Sequence, residues 1–332
     1  MAKIVSAISM SHVPGALGWA DAPSPEQRQR LAEILARLKQ CIDETKPNLI
    51  IAFLDDHFEN NFRNLMPTLG VPVSDANIGP AEYMMEALKF DKQHSIASNA
   101  EIAQLLLEKL IHGGFEATRM GPIEYGNNLM MPLVFINPEF NIPVVPVYIN
   151  VFSPPLMPYS RAYDLGLKVR EIIDALPDEF RVHFLATGGL SHWPPVWTEG
   201  APEGDELLQR MKVYQTIGKE ALINDPTLYT DFAQYEIEMM SKMEWPLGNS
   251  HPLVNEEWDR EMLDHFEAGD VSYMRALTYD EVEDRGGHGG HEALNWVALM
   301  GAMKGARPDY VAYESVPEWI TGMSYLTYPG QK

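Results

Sequence analysis

Cysteine is almost missing from this chain: Cys41 is the only one among 332 residues. An internal disulfide is thereby excluded, as is any zinc or iron–sulfur site built from several thiolates. Positive charge is scarce too, with 25 Lys and Arg against 47 Asp and Glu and a formal net charge of −22. Such a surface repels polyanions and no basic patch interrupts it, so neither nucleic acid nor an anionic membrane is expected as a partner. No apolar run is long enough to span a bilayer, and the opening MAKIVSAISMSHVPG is interrupted too early for a signal peptide. The chain is therefore expected to be cytoplasmic. There is no G-x-S-x-G elbow, Walker loop or G-x-G-x-x-G fingerprint, which argues against a nucleotide cofactor.

What is present reads as an α/β protein. Hydrophobic residues make up 45% and charged residues 22% of the chain, ordinary values for a folded domain. The length sits near the size at which a single core stops growing. Ile4 to Met10 predicts a buried strand. Ser24-Pro25-Glu26-Gln27 is a capping box with proline in the first turn, opening an amphipathic helix through Leu31, Ile34, Leu35, Leu38 and Ile42. Pro47 stops that helix, and Asn48 to Leu54 predicts a second strand. The alternation continues with a helix at Ala100 to Ile111, a strand at Ile142 to Ile149, a helix at Ala162 to Leu176 and a strand at Val182 to Ala186. From about 194 to 253 the composition turns to helical segments rich in Met, Tyr and Glu, with one apolar stripe through Leu207, Leu208, Met211, Tyr214 and Ile217. Helices are expected again over Glu257 to Phe266 and Glu292 to Met303, with a loop over Asp284 to His291 between them and Asp309 to Glu314 as the last strand. The expectation is a single domain, 1–332, whose central mixed sheet is flanked by helices and which carries a helical insertion at about 194–253.

Open α/β sheets place their sites beyond the carboxyl ends of strands, and His12, His57 and His192 follow three different strands in this way. One histidine in such a loop is more often a hydrogen-bonded structural residue; three in equivalent positions favour a common site. Imidazoles with one carboxylate suit Fe(II) and leave coordination positions open for substrate and O2. Glu292 is the carboxylate that context favours, because the glycines around His288 allow close backbone approach and a helix begins there. The competing reading is that Glu292 merely complements a helix dipole. His288-Gly-Gly-His291-Glu292 lacks the H-E-x-x-H spacing of a zinc hydrolase. His94, His112, His183, His251 and His265 read as structural.

The pieces Ser11-His12, Asp56-His57, Gly188-Gly189-Leu190-Ser191-His192, Asn255-Glu256-Glu257-Trp258-Asp259 and Gly290-His291-Glu292-Ala293-Leu294-Asn295-Trp296 together resemble the class III extradiol dioxygenases. The type most similar is the β subunit of protocatechuate 4,5-dioxygenase, and the resemblance spans nearly the whole chain in order. It implies Fe(II) bound by His12, His57 and Glu292, with His192 as the acid/base residue. The implied reaction is opening of a catechol-type, carboxylated lignin-derived aromatic with both atoms of O2. It also implies a homodimer. Two departures stand out. Where the family has a second histidine, the matching stretch is Glu124-Tyr125-Gly126-Asn127-Asn128, and Tyr125 is expected to replace it as a hydrogen-bond donor. The insertion after His192 is expected to form a lid or to fill the place of a separate small subunit, compatible with a biphenyl substrate of the hydroxylated dehydrodivanillate type. Arg63, Arg119 and Arg285 are candidates by residue type for binding a substrate carboxylate. The rivals are a zinc-dependent hydrolase and a non-catalytic binding protein on the same fold.

Overall fold

The computed structural model describes residues 1–194, 203–242 and 252–331. Its strands are β1 (Lys3–Met10), β2 (Leu49–Leu54), β3 (Leu69–Pro72), β4 (Ala76–Gly79), β5 (His94–Ala97), β6 (Thr118–Met120), β7 (Val144–Ile149), β8 (Arg181–Thr187), β9 (Tyr310–Val316) and β10 (Thr321–Gln331). Eight of them form one sheet in the order β6-β3-β7-β2-β8-β1-β10-β9, while β4 and β5 pair apart from it. β7, β2, β8 and β1 run parallel, so their carboxyl ends meet at one edge. β10 is antiparallel to both β1 and β9, and β3 is antiparallel to β7, which makes the sheet mixed.

The parallel strands read as unbroken apolar runs because both of their faces are covered. In β2, Leu49, Ile51 and Phe53 enter one core while Ile50, Ala52 and Leu54 enter the other. Helices Ala100–His112, Tyr159–Asp174, Glu256–Ala268 and Ala293–Ala302 line the first core. Helices Pro25–Thr45 and Asn127–Ile136 line the second. The capping box at Ser24 is formed, with the Gln27 backbone N–H donating to Ser24 Oγ at 3.2 Å and the Ser24 N–H donating to Gln27 Oε1 at 3.4 Å.

Helix Ala293–Ala302 sets the position of Glu292, and it lies hard against helix Tyr159–Asp174. A Cβ at Gly166 would overlap the carbonyl oxygen of Ala298, a backbone atom that cannot rotate away. Gly166→Ala should therefore cost about 3 kcal/mol. Urea denaturation measures this, and an unchanged midpoint would count against the tight packing.

The chain between 203 and 242 forms helices Glu206–Ile217, Glu220–Asn224 and Leu228–Lys242. Within the expected stripe, Leu208, Met211 and Tyr214 are buried and Leu207 partly so, but Ile217 is exposed. Residues 195–202 and 243–251, which include the flanks of the expected insertion and His251, lie outside the described residues. Two expectations change. β9 is not the last strand: β10 follows it and pairs with β1 from Ile4↔Gln331 to Met10↔Tyr325. The 284–291 stretch is not all loop, since helix Tyr279–Arg285 runs into it and a 3-10 turn spans His288–Glu292. Among the described residues no helix is long and apolar enough to cross a membrane.

Candidate active site

His12 lies just past β1, Asp55 and His57 just past β2, and His192 beyond β8, which runs between the other two strands. The parallel register brings all of these residues to one edge. Glu292 comes from the far end of the sequence, as the final residue of the 3-10 turn. One donor atom each from His12, Asp55, His57 and Glu292 lies within 4.8 Å of the others, and all four side chains are buried.

Glu292 Oε1 is 3.2 Å from Nε2 of His12 and 3.2 Å from Nε2 of His57. Asp55 Oδ2 stands 2.9 Å from the same His57 nitrogen. The other ring nitrogen of His57 is committed: Nδ1–H donates to Asn127 Oδ1 at 3.0 Å, and Asn127 Nδ2 donates to the His12 carbonyl at 3.0 Å, which fixes the amide's orientation. A neutral His57 therefore turns the lone pair of Nε2 toward two carboxylate oxygens. Facing lone pairs repel unless positive charge lies among them, so the donor set fits a cation. Such outer partners of a metal-bound histidine set its tautomer and its basicity.

The titration of these groups expresses the same demand for positive charge. Burial alone would lower the His57 pKa, yet Asp55, Glu292 and Glu59 together hold it well above the ordinary imidazole value. Burial would raise the Glu292 carboxyl, but the neighbouring His12 and His192 hold it well below the usual range. Glu59 accepts the His57 backbone N–H at 2.7 Å and the Tyr83 hydroxyl at 2.9 Å. Burial and then the charge of Asp56 push its carboxyl up to about 8. Phe58, next to His57, sits in the left-handed region at φ 65°, uncommon for a bulky residue. Its carbonyl is tied by the Tyr214 hydroxyl at 2.8 Å, so a helix of the 203–242 segment braces the β2 loop.

His192 faces the same carboxylate from the other side, with Nε2 at 3.7 Å from Glu292 Oε2. Its Nδ1–H donates to the Leu190 carbonyl at 3.1 Å, which leaves the Nε2 lone pair available. Burial lowers the pKa of this imidazole, but the Glu292 charge outweighs that and raises it. Gly289 is required beside it, because a Cβ there would overlap Nε2. The Gly189 backbone N–H donates to Glu292 Oε2, so Oε1 is the oxygen turned to His12 and His57.

These groups floor a cavity of about 940 Å³, counted to its open mouth. His12, His57, His192 and Glu292 all line it. Tyr125 is not brought there: it is fully buried in the second core, and its hydroxyl accepts from Asn77 Nδ2 at 3.1 Å. Two residues on, Asn127 reaches the cavity instead. Nor do the three arginines line it. Arg63 lies over the Phe58 ring, Arg119 donates to Gln104 and Arg285 pairs with Glu261. His288 and His291 turn toward Glu283 Oε2, at 3.0 and 3.1 Å, rather than toward Glu292's partners. Sequence reasoning missed Asp55, Asn127 and the cavity residues Tyr83 and Thr321. Only Asp55 carried a signal, its place beside His57 at the end of β2.

A family model described as the catalytic LigB subunit of aromatic ring-opening dioxygenase matches residues 6–324. The chain is 28% identical over 336 residues to the 2,3-dihydroxyphenylpropionate/2,3-dihydroxicinnamic acid 1,2-dioxygenase of Mycolicibacterium smegmatis, covering 96% of each protein. Enzymes of the same name are 29% identical in a Rhodococcus species, over 97% of this chain and 98% of the relative, and 28% identical in Burkholderia vietnamiensis, over 96% and 95%.

Proposed function

Since the chain belongs to the LigB family of catalytic subunits of aromatic ring-opening dioxygenases, and so is an extradiol dioxygenase of catecholic substrates, we propose that it works with Fe(II) and O2 through His12, His57 and Glu292. The observation that carries this reading is the meeting of two imidazole Nε2 atoms on one carboxylate oxygen, each at 3.2 Å, on the floor of the cavity. Two histidines and a carboxylate with open positions are the donor set suited to non-haem Fe(II), which when bound supplies the redox chemistry and brings diol and O2 together.

The remaining work falls to the chain's own residues. Asn127 accepts the hydrogen bond of His57 Nδ1–H and so keeps the Nε2 lone pair turned toward the ion. The Gly189 N–H holds Oε2 of Glu292, and Asp55 adds a further negative charge that favours the cation. His192 is the proton carrier: its free Nε2 takes a phenolic proton from the diol and returns one as the ring opens, a role suited to an imidazole near neutral pH. Tyr125, remote from the cavity, has no part in this reading. Helix Leu228–Lys242 supports the idea that the chain acts without a separate small subunit, because it supplies Tyr229 and Phe232 to the cavity wall.

Zinc could use the same donors, so the test separates the two metals. Protein stripped of metal and reloaded anaerobically with Fe(II) should consume equimolar O2 with a catechol and release a yellow ring-opened product, whereas the zinc-loaded form should consume none. If the iron form takes up no O2 with any catechol while zinc survives dialysis, the hydrolytic alternative replaces this one.

A further inference from the structure

The cavity has two unlike ends. Its floor is polar, with His12, His57, His192, Glu292, Asn127 and Thr321. Thr321 is 3% exposed and its hydroxyl oxygen has no hydrogen-bond partner, so a polar ligand atom would satisfy it. Beyond the floor the lining turns apolar, through Val13, Trp19, Met84, Phe232, Trp319 and Ile320. The aromatic part of this wall is fixed: Trp319 Nε1–H donates to the Trp19 carbonyl at 3.1 Å. The Tyr83 and Tyr229 rings, which also line the cavity, stack at 3.9 Å, with the Tyr83 hydroxyl already given to Glu59.

Among the side chains the structure describes, no lysine or arginine lines the cavity. The carboxylate that lines the floor is that of Glu292, with Asp55 beside it in the same donor cluster. A ring bound by its diol at the floor would lay its substituent on indole, phenyl and thioether surface. An anionic substituent would there lose its water without gaining a counter-charge, a costly exchange, whereas an apolar one gains from burial.

We propose, resting on the ring-opening reading above, that this cavity selects catechols with an uncharged apolar substituent, alkyl or aryl, over the carboxylated ones for which the relatives are named. The diol end meets the polar floor and Thr321, and the substituent packs between Trp19, Met84, Phe232 and Trp319. Specificity thus follows from the wall, not from the ion and its ligands.

The experiment compares 3-propylcatechol and 3-phenylcatechol with 3-(2,3-dihydroxyphenyl)propionate, which has the propyl chain ending in a carboxylate. With the full chain loaded with Fe(II), kcat/KM should favour the uncharged pair by on the order of a hundredfold. Met84→Arg, which places a cation at the wall, should narrow that ratio about tenfold. The same compounds are also titrated into metal-free protein under argon, following tryptophan fluorescence, where the uncharged pair should again bind more tightly. Equal or reversed preference in cleavage overturns the inference while leaving ring opening intact. If no catechol is cleaved, the binding order decides: tighter binding of the uncharged pair supports the apolar selectivity although the reaction fails, and tighter binding of the carboxylate overturns both.

Discussion

Glu292→Gln should yield a folded protein that no longer holds iron, with O2 uptake down by about a thousandfold or more. Glutamine has nearly the shape of glutamate and can still accept the Gly189 N–H, so little packing is disturbed. What disappears is the one negative charge that His12, His57 and His192 all face. Without it, a divalent ion must be held by two imidazoles and Asp55 alone. Iron content after anaerobic dialysis is the direct readout. Thermal unfolding is the second, because a ligand that binds only the native state stabilises it by mass action: added Fe(II) should raise the wild-type midpoint and leave the variant's unchanged. A Glu292→Gln protein that keeps stoichiometric iron and turns over normally would remove Glu292 from the metal site.

His192→Gln should do the opposite, keeping the iron and losing the turnover. The side chain is not among the four converging donors, and it reaches Glu292 only at 3.7 Å, so iron retention should match wild type. Glutamine can occupy the space beside Gly289 but cannot take up a proton. Loss of a positioned acid/base group costs about 10²- to 10⁴-fold in rate, and the fall should appear in kcat with KM for the catechol little altered. Iron loss in this variant would recast His192 as a ligand, and an unchanged kcat would leave the proton carrier unassigned.

The pair separates holding the ion from moving the proton, a division only partly visible in the sequence. Elements with a local signature were legible: the capping box at Ser24, the doubly buried runs of β2 and β8, and the strand-end positions of three histidines. β10 was not, because TGMSYLTYPGQ is buried on both sides for most of its length, which erases alternation, and its Gly and Pro look like turn residues. The site's outer partners were hidden for a different reason. Tyr125 and Asn127 are two residues apart, and only the entry into helix Asn127–Ile136 decides which faces the metal donors and which faces Asn77. The walls of the cavity draw Trp19, Met84, Phe232 and Trp319 from separate segments, so no spacing in the chain could relate them.

β1 lies between β8 and β10, and this has a consequence for how the protein is made. At about 5–20 residues per second, the ribosome releases β1 well before it has translated β10, so one edge of β1 waits without its neighbour through most of synthesis. Ser6 on one face of that strand and Ser9 on the other interrupt its apolar runs in the interval, though both are buried once the sheet closes. The His12 end of the candidate metal site likewise waits for Glu292. A nascent chain released early would therefore carry both an open strand edge and only part of the His12, Asp55, His57 and Glu292 cluster.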